Sequence, residues 1–325
     1  MPTKYTIYVH GFWGGFLDKT DANHIGFFES IFKSAFYPST IEFTSDKNQA
    51  NILFESVFSP SIANAKKWLY KIQYSGEPRN YPFSDYDMTL FSEKDSNQIV
   101  DLPLFVYYIH SNNLLGRLLE RPLRTVVPNK FCCFIVSNGS CQVRNRMFNA
   151  LNQYKKVDSL GNFANNMGSV LQYDYWSPEF TGFISNYKFI ICFENSKFGT
   201  YSTEKIVNAY LANVIPIYWS SHHIKKVLNP DSMLFLEDET IGFTDFEYEV
   251  TKSDFFRRCD KGESNENDES YAGLIQKIVE LDNDDAKYLE YVNRPVFTQT
   301  DYWDANYSLD ALSCKITENI AKVIV

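Results

Sequence analysis

The chain has 325 residues, of which 44% are hydrophobic, 22% charged and 17% aromatic; this composition fits a globular protein and excludes a disordered or fibrous one. Its length exceeds the usual size of one core, so two domains are expected, with one large domain as the alternative. A net charge of -9 excludes a broad surface for nucleic acid or anionic membrane, because those partners demand a basic footprint, and any phosphate site must be local.

Short runs rich in Val, Ile, Phe and Tyr alternate with segments of helical period, the pattern of parallel sheets flanked by helices in an α/β protein. In chain order, strands are expected at Thr6–Val9, Thr40–Phe43, Asn51–Phe54, Lys71–Tyr74 and Met88–Phe91. Between the first two, His24–Phe36 reads as a helix with Phe27, Phe28, Ile31, Phe32 and Phe36 on one broad face. The stretch Leu119–Asn129, with Pro122 and Pro128, reads as a crossing between domains. A strand at Phe131–Val136 breaks at Ser137-Asn138-Gly139-Ser140, after which Met147, Phe148 and Leu151 recur at helical spacing. A strand at Phe189–Phe193, a loop over Glu194–Ser202, a helix over Thr203–Asn213 and a strand at Ile215–Trp219 repeat the theme. Asp260–Ser270 reads as a solvated surface loop, and Tyr271–Tyr291 resumes helical period.

In an open parallel sheet, ligands bind where strand carboxyl ends meet helix N-termini, and the free N–H groups and dipole there suit a diphosphate. Thr203 stands at the N-cap position, its side chain expected to accept from a nearby amide, and Lys205 adds a positive charge in the first turn. Arg144 and Arg146 repeat this at the start of the preceding helix. Cations at helix starts are unfavourable unless an anion lies beside them, so the coincidence points to a phosphate ligand; the alternative is that these long side chains bend into water. The chain lacks both GxGxxG and GxxxxGK[ST], which removes support for a dinucleotide fingerprint or a P-loop. The aromatic excess suits sugar faces and nucleobases, or reflects a composition bias.

Six cysteines, Cys132, Cys133, Cys141, Cys192, Cys259 and Cys314, show no CxxC spacing and read as free thiols of a reducing compartment. With no apolar run of about 18 residues and no apolar leader, the expectation is a soluble, cytoplasmic chain. Asp85-Tyr86-Asp87 is formally a DxD, but it stands alone. The histidines lack ligand spacing and Asp282–Asp285 lacks the EF-hand pattern, so no metal site is expected.

Three segments resemble one family. Residues 187–221, YKFIICFENSKFGTYSTEKIVNAYLANVIPIYWSS, followed by Asn229-Pro-Asp-Ser-Met, resemble the donor-binding signature of the α1,3-fucosyltransferases, glycosyltransferase family 10. Upstream, residues 134–152, FIVSNGSCQVRNRMFNALN, and residues 74–91, YSGEPRNYPFSDYDMTLF, with Leu102-Pro103-Leu104, resemble that family's other blocks in the family's order. The likeness spans about Lys67 to Val296 and reaches weakly to Gly11-Phe12-Trp13.

The resemblance implies the GT-B fold, two Rossmann-like domains facing across a cleft. The expected layout is an acceptor-binding domain over 1–125, a GDP-fucose-binding domain over 126–295, and a helical tail over 296–325 that could pack back on the first. It implies inverting transfer of L-fucose from GDP-fucose to a hydroxyl of an N-acetylglucosamine-containing glycan, in α1,3 linkage, with Glu77 as general base. Arg144 and Lys205 would neutralise the departing diphosphate, Tyr201 and Glu204 would hold the donor, and Asn138, Glu194, Asn195 and Thr203 would line the same site. Glu194 pairing with Lys188 is the structural alternative. No cofactor beyond the donor is implied, and no divalent metal; among the family's members, a microbial or viral type is implied. Another GDP-sugar donor, or a silent glycan-binding protein of this fold, are the competing readings. Ser220, Pro78 and Met233 depart from the family pattern and bear on the acceptor more than on the donor.

Overall fold

The computed structural model describes residues 3–237 and 268–322. Two separate sheets organise it, and every strand pairing in both is parallel. The first contains β1 (Lys4–His10), β2 (Thr40–Thr44), β3 (Ile52–Glu55), β4 (Tyr70–Tyr74), β5 (Met88–Phe91) and β6 (Ile99–Asp101) in the order β2-β1-β3-β4-β5-β6. The second contains β7 (Lys130–Phe134), β8 (Val157–Ser159), β9 (Tyr187–Ile191), β10 (Ile215–Tyr218) and β11 (Leu234–Phe235) in the order β11-β10-β9-β7-β8. Strands such as β3, β5 and β10 are buried at every position, as expected of parallel strands covered on both faces.

On the first sheet, α1 (Gly26–Ala35) buries Phe27, Phe28, Ile31, Phe32 and Ala35. Phe28 lies within 5.0 Å of the Phe54 and Tyr74 rings, and Phe12 stacks on Phe16 at 4.0 Å. Much of the aromatic excess is therefore core packing. Gly11, at φ +68° just past β1, is required there: an added Cβ would come within 2.5 Å of the Ser56 carbonyl oxygen. Helices α2 (Leu104–Ser111) and α3 (Leu115–Leu119) follow β6.

Residues 120–129 cross to the second sheet without regular structure, and their arginines fix the crossing. Arg124 donates to the carbonyls of Asn213 at 2.8 Å, Ser185 at 2.9 Å and Ala212 at 3.2 Å. Those oxygens close α5 (Pro178–Ile184) and α6 (Glu204–Leu211), where a cation complements the helix dipole. Arg121 donates to the Val292 and Arg294 carbonyls at 2.6 and 2.8 Å.

The second sheet carries α4 (Gln142–Tyr154), α7 (Ile224–Val227), α8 (Asp268–Asp282) and α9 (Asp285–Val292). The expected helix over Tyr271–Tyr291 is thus two helices, broken where the Asp284 side chain caps the Lys287 N–H. The polar tract Asp260–Ser270 lies outside the described residues up to 267, and α8 begins at Asp268; Cys259 is likewise outside. Four of the remaining cysteines are buried free thiols and Cys314 is exposed.

The chain ends in α10 (Asp301–Tyr307) and α11 (Leu309–Ile320). Trp303, Tyr307, Leu312, Ile316 and Ile320 join the same core as Ile31 and Phe32, and Thr317 Oγ1 donates to the Ala35 carbonyl at 3.3 Å. The tail also joins the halves: Tyr307 donates to Asp101 Oδ2 at 2.6 Å, Thr200 of the second half donates to Asp101 Oδ1, and His223 Nε2 lies 2.8 Å from the Tyr307 hydroxyl. Among the described residues, no helix is long and apolar enough to cross a membrane.

Candidate active site

In the second sheet the chain passes from β7 to β8 on one side and to β9 on the other. The strand order reverses between β7 and β9, which opens a crevice at their carboxyl ends. A cavity of about 370 Å³ lies there, bordered by Val136 and Ser137 after β7, Gly161 after β8, Phe193 after β9, and Glu204, Lys205 and Asn208 of α6. Gly161 permits the close approach of two loops, since a Cβ would fall 2.0 Å from the Val136 carbonyl oxygen.

Glu194 organises the edge of this crevice. Its carboxylate is 0% exposed and accepts from the Thr203 N–H at 2.7 Å, the Thr203 hydroxyl at 2.8 Å, Lys205 Nζ at 3.2 Å and the Tyr218 hydroxyl at 2.7 Å. One expectation is corrected by this arrangement, and one alternative is not realised. Thr203 is the N-cap residue of α6, yet its side chain makes no capping bond; its hydroxyl donates to Glu194 and accepts from Lys205 at 2.9 Å. Glu194 does not pair with Lys188, which instead lies 3.2 Å from buried Asp282. The anion missing beside Lys205 in the linear sequence is therefore Glu194, with Glu204 at 3.9 Å as a second. Burial pulls the Lys205 ammonium pKa down, but Glu194 and Glu204 outweigh that and hold it above the ordinary lysine range, with Arg144 working against them.

This hub carries a stability prediction. Glu194→Gln keeps one acceptor oxygen but turns an amide toward donors and strips Lys205 of its principal counter-ion. A loss of about 3 kcal/mol is expected from breaking such a buried pair, measured by denaturant unfolding; a change below about 1 kcal/mol would mean that Lys205 is adequately paired by Glu204 and water.

Arg144 is in a different position. It is 1% exposed, near the start of α4, and donates to Asn195 Oδ1 at 2.6 Å and the Asn138 carbonyl at 2.5 Å. Both partners are neutral, and its Nε has none. Among the described residues, no carboxylate lies within ion-pair distance of it. Burial lowers its pKa, opposed by Cys141, Glu194 and Tyr201. Asn138 itself is exposed, and its side chain accepts the Ser140 N–H at 2.9 Å. The argument from misplaced charge thus survives for Arg144 and fails for Lys205.

The first sheet supplies the opposite wall. A cavity of about 300 Å³ lies over the carboxyl end of β4, bordered by Glu77 and Gly76 and by the rings of Trp13, Phe58, Tyr74, Tyr107, Tyr108, Tyr175 and Trp176. Ser75 Oγ ties the Glu77 turn, accepting the Glu77 N–H at 3.2 Å and lying 3.1 and 2.5 Å from the Glu77 and Arg79 carbonyls. Burial raises the Glu77 carboxyl above the ordinary glutamate range; Lys205 and Arg79 pull it back and Glu204 pushes it further up.

Glu204 and Tyr175 line both cavities, so the two adjoin, with Glu77 bordering one and Lys205 the other, close enough for Lys205 to act on the Glu77 carboxyl. Tyr201 belongs to the same neighbourhood. It is stacked on Phe198 at 4.9 Å, and burial raises its phenol, reinforced by Glu194, Glu77 and Glu204 and opposed by Arg144. Asp87 of the formal DxD is occupied in accepting the Lys71 N–H at 2.7 Å. The departures Ser220, Pro78 and Met233 are all buried.

Sequence reasoning missed Asn208, Tyr108, Asn23, Tyr175 and Trp176. Asn208, one turn beyond Glu204 and Lys205 and so on their face of α6, was the readable signal; the segment carrying Tyr175 and Trp176 has no motif.

Comparison with known proteins bears on what this cleft is. Residues 127–245 match the family described as Glycosyltransferase family 10 (fucosyltransferase) C-term. The chain is 28% identical over 277 residues to the α-(1,3)-fucosyltransferase FucT of Helicobacter pylori, covering 73% of this chain and 55% of that protein. It is 30% identical over 200 residues to the putative fucosyltransferase R654 of Acanthamoeba polyphaga mimivirus, covering 60% of this chain and 28% of the viral one. The chain thus spans about half the length of the bacterial relative and less of the viral one. The fold is similar to crystal structures of an α1,3-fucosyltransferase, alone and with GDP-fucose, at TM-scores of 0.68 and 0.67, 20% identity, and coverage of 98% of this chain and 91% of theirs. Two parallel sheets with a cleft between them are the GT-B arrangement of those structures, and over residues 127–245 the chain matches glycosyltransferase family 10, the fucosyltransferases.

Proposed function

We propose that this protein transfers L-fucose from GDP-fucose to a hydroxyl of an N-acetylglucosamine-containing glycan, with an α1,3 linkage and inversion at the fucose C1. Residues 126–295 hold the donor, residues 1–125 hold the acceptor, and the tail over 296–325 braces the pair. The observation that carries the reading is the adjacency of two cavities, one bordered by Glu77 and the other by Lys205, with Glu204 on the border shared by both.

The acceptor oxygen attacks C1 opposite the diphosphate. The new O–C1 bond forms as the bond from C1 to the phosphate oxygen breaks, the hydroxyl proton passes to the Glu77 carboxylate, and GDP leaves with the electron pair. Glu77 suits this role because burial raises its basicity while it stays at hydrogen-bonding reach of a cavity able to take a sugar. The negative charge that grows on GDP is met by Lys205 and by the Arg144 guanidinium, whose only described partners are neutral and which gains most when an anion arrives. These two cations supply the charge that a divalent ion would otherwise provide, so the reaction is proposed to need no metal.

Glu204 accepts hydrogen bonds from donor hydroxyls, and Tyr201, Asn195 and Asn138 complete the donor wall. Glu194 and Thr203 are reassigned from donor contacts to positioning residues, since the Glu194 carboxylate is fully enclosed and the Thr203 hydroxyl is held between it and Lys205.

The test is incubation with GDP-fucose and an N-acetyllactosamine-type acceptor, reading GDP and fucosylated product in equal amounts. No GDP release across a panel of neutral glycans, or faster turnover of another GDP-sugar, would overturn the reading.

A further inference from the structure

Tyr175 sits where the two cavities meet. It and Glu204 are the residues shared by both linings, and Tyr175 lies in the irregular stretch between β8 and α5. Its backbone is held from both halves. The Asn208 amide of α6 donates to the Tyr175 carbonyl at 2.9 Å, the Tyr108 hydroxyl of α2 lies 3.4 Å from the same oxygen, and Tyr108 also donates to Asn208 Oδ1 at 3.0 Å. Its ring packs edge-on to Trp176 at 4.7 Å, its hydroxyl lies 3.5 Å from Asn23 Nδ2, and yet 39% of the residue remains exposed. An anchored aromatic side chain that borders both cavities and keeps part of its surface exposed is placed to pack against the C–H face of a pyranose.

The chemistry makes that position consequential. The base that deprotonates an acceptor hydroxyl deprotonates water equally well, and water attack at C1 would form a water O–C1 bond, break the bond from C1 to the phosphate oxygen and release free fucose and GDP. Transfer wins only where the path to C1 is filled by acceptor and wall rather than by water. Resting on the proposed transferase reading, we infer that Tyr175 is a specificity-determining residue that touches both sugars, stacking against the acceptor and closing the passage between the cavities, and thereby sets the partition between transfer and hydrolysis. Asn208 and Tyr108 act through it as positioning residues.

The test compares Tyr175→Ala, Tyr175→Phe and wild type for acceptor KM, donor Kd, and the ratio of free fucose to fucosylated product. Losing one stacked ring corresponds to about tenfold in acceptor KM, and the alanine variant is expected to show that rise together with a several-fold larger share of free fucose. Donor Kd should stay within about threefold, and the phenylalanine variant, which keeps the ring, should restore KM and partition. Wild-type KM and partition in Tyr175→Ala overturn the inference, as does a donor Kd that weakens as much as the acceptor KM, which would make Tyr175 a wall of the donor site alone. A wild type with no turnover sinks the transferase reading instead; Tyr175 is then judged by direct titration with the acceptor glycan, where unchanged affinity in the alanine variant overturns its assignment.

Discussion

Glu77→Gln is expected to slow transfer by about a thousandfold, within the ~10²–10⁴ that a positioned base contributes, while donor affinity stays close to wild type. Gln keeps the size of the side chain and a hydrogen-bond acceptor but cannot take a proton, so the loss falls on kcat rather than on binding. The pH profile gives an independent reading. Burial raises the Glu77 carboxyl above the ordinary range, and only the carboxylate accepts a proton, so kcat/KM should rise with pH through that raised pKa and then level off. The variant should lose that acid limb. Stability moves the opposite way. A carboxyl whose pKa is raised on folding contributes stability that is fully present below its unfolded pKa and is lost as pH rises through the folded one. At neutral pH the wild type holds a half-buried carboxylate that Gln lacks, so Glu77→Gln should unfold at no lower denaturant concentration than wild type. Equal transfer rates in the two proteins would remove Glu77 from its role.

What the linear sequence disclosed follows from how locally each feature is encoded. Strands β3, β5, β7, β9 and β10 were legible because parallel strands buried on both faces are written as continuous apolar runs; the bounds of β5 coincide with expectation and those of the others differ by at most two residues at either end. Strands β6, β8 and β11 were not, being two or three residues long and made by the sheet they join rather than by their own pattern. Arg144, Lys205 and Glu77 were found because their surrounding motifs are contiguous. Lys205 looked unpaired because its counter-ion, Glu194, lies eleven positions away, across a loop whose path the sequence does not show. Tyr175 and Asn208 escaped for the same reason: what marks them is a bond between a loop, a helix of one half and a tyrosine of the other.

The contrast between the two cations yields the second large effect. Arg144→Met and Lys205→Met should each lower kcat/KM by about 10²–10³, the usual cost of removing one fixed donor of charge stabilisation. Their stabilities should diverge. Lys205→Met leaves Glu194 fully enclosed with no ammonium beside it, a broken buried pair that costs about 3 kcal/mol. Arg144→Met breaks no ion pair among the described residues and removes a guanidinium whose Nε is unsatisfied, so its net change should stay within about 1 kcal/mol. GDP sharpens the comparison, because a ligand that binds only the folded state stabilises it in proportion to the logarithm of its saturation. Saturating GDP should raise the wild-type unfolding midpoint and raise that of Arg144→Met far less. If Arg144→Met were instead strongly destabilised without GDP and kept the full GDP-induced shift, its buried charge would serve the fold alone, and the diphosphate would be held by Lys205 and the α6 N-terminus without it.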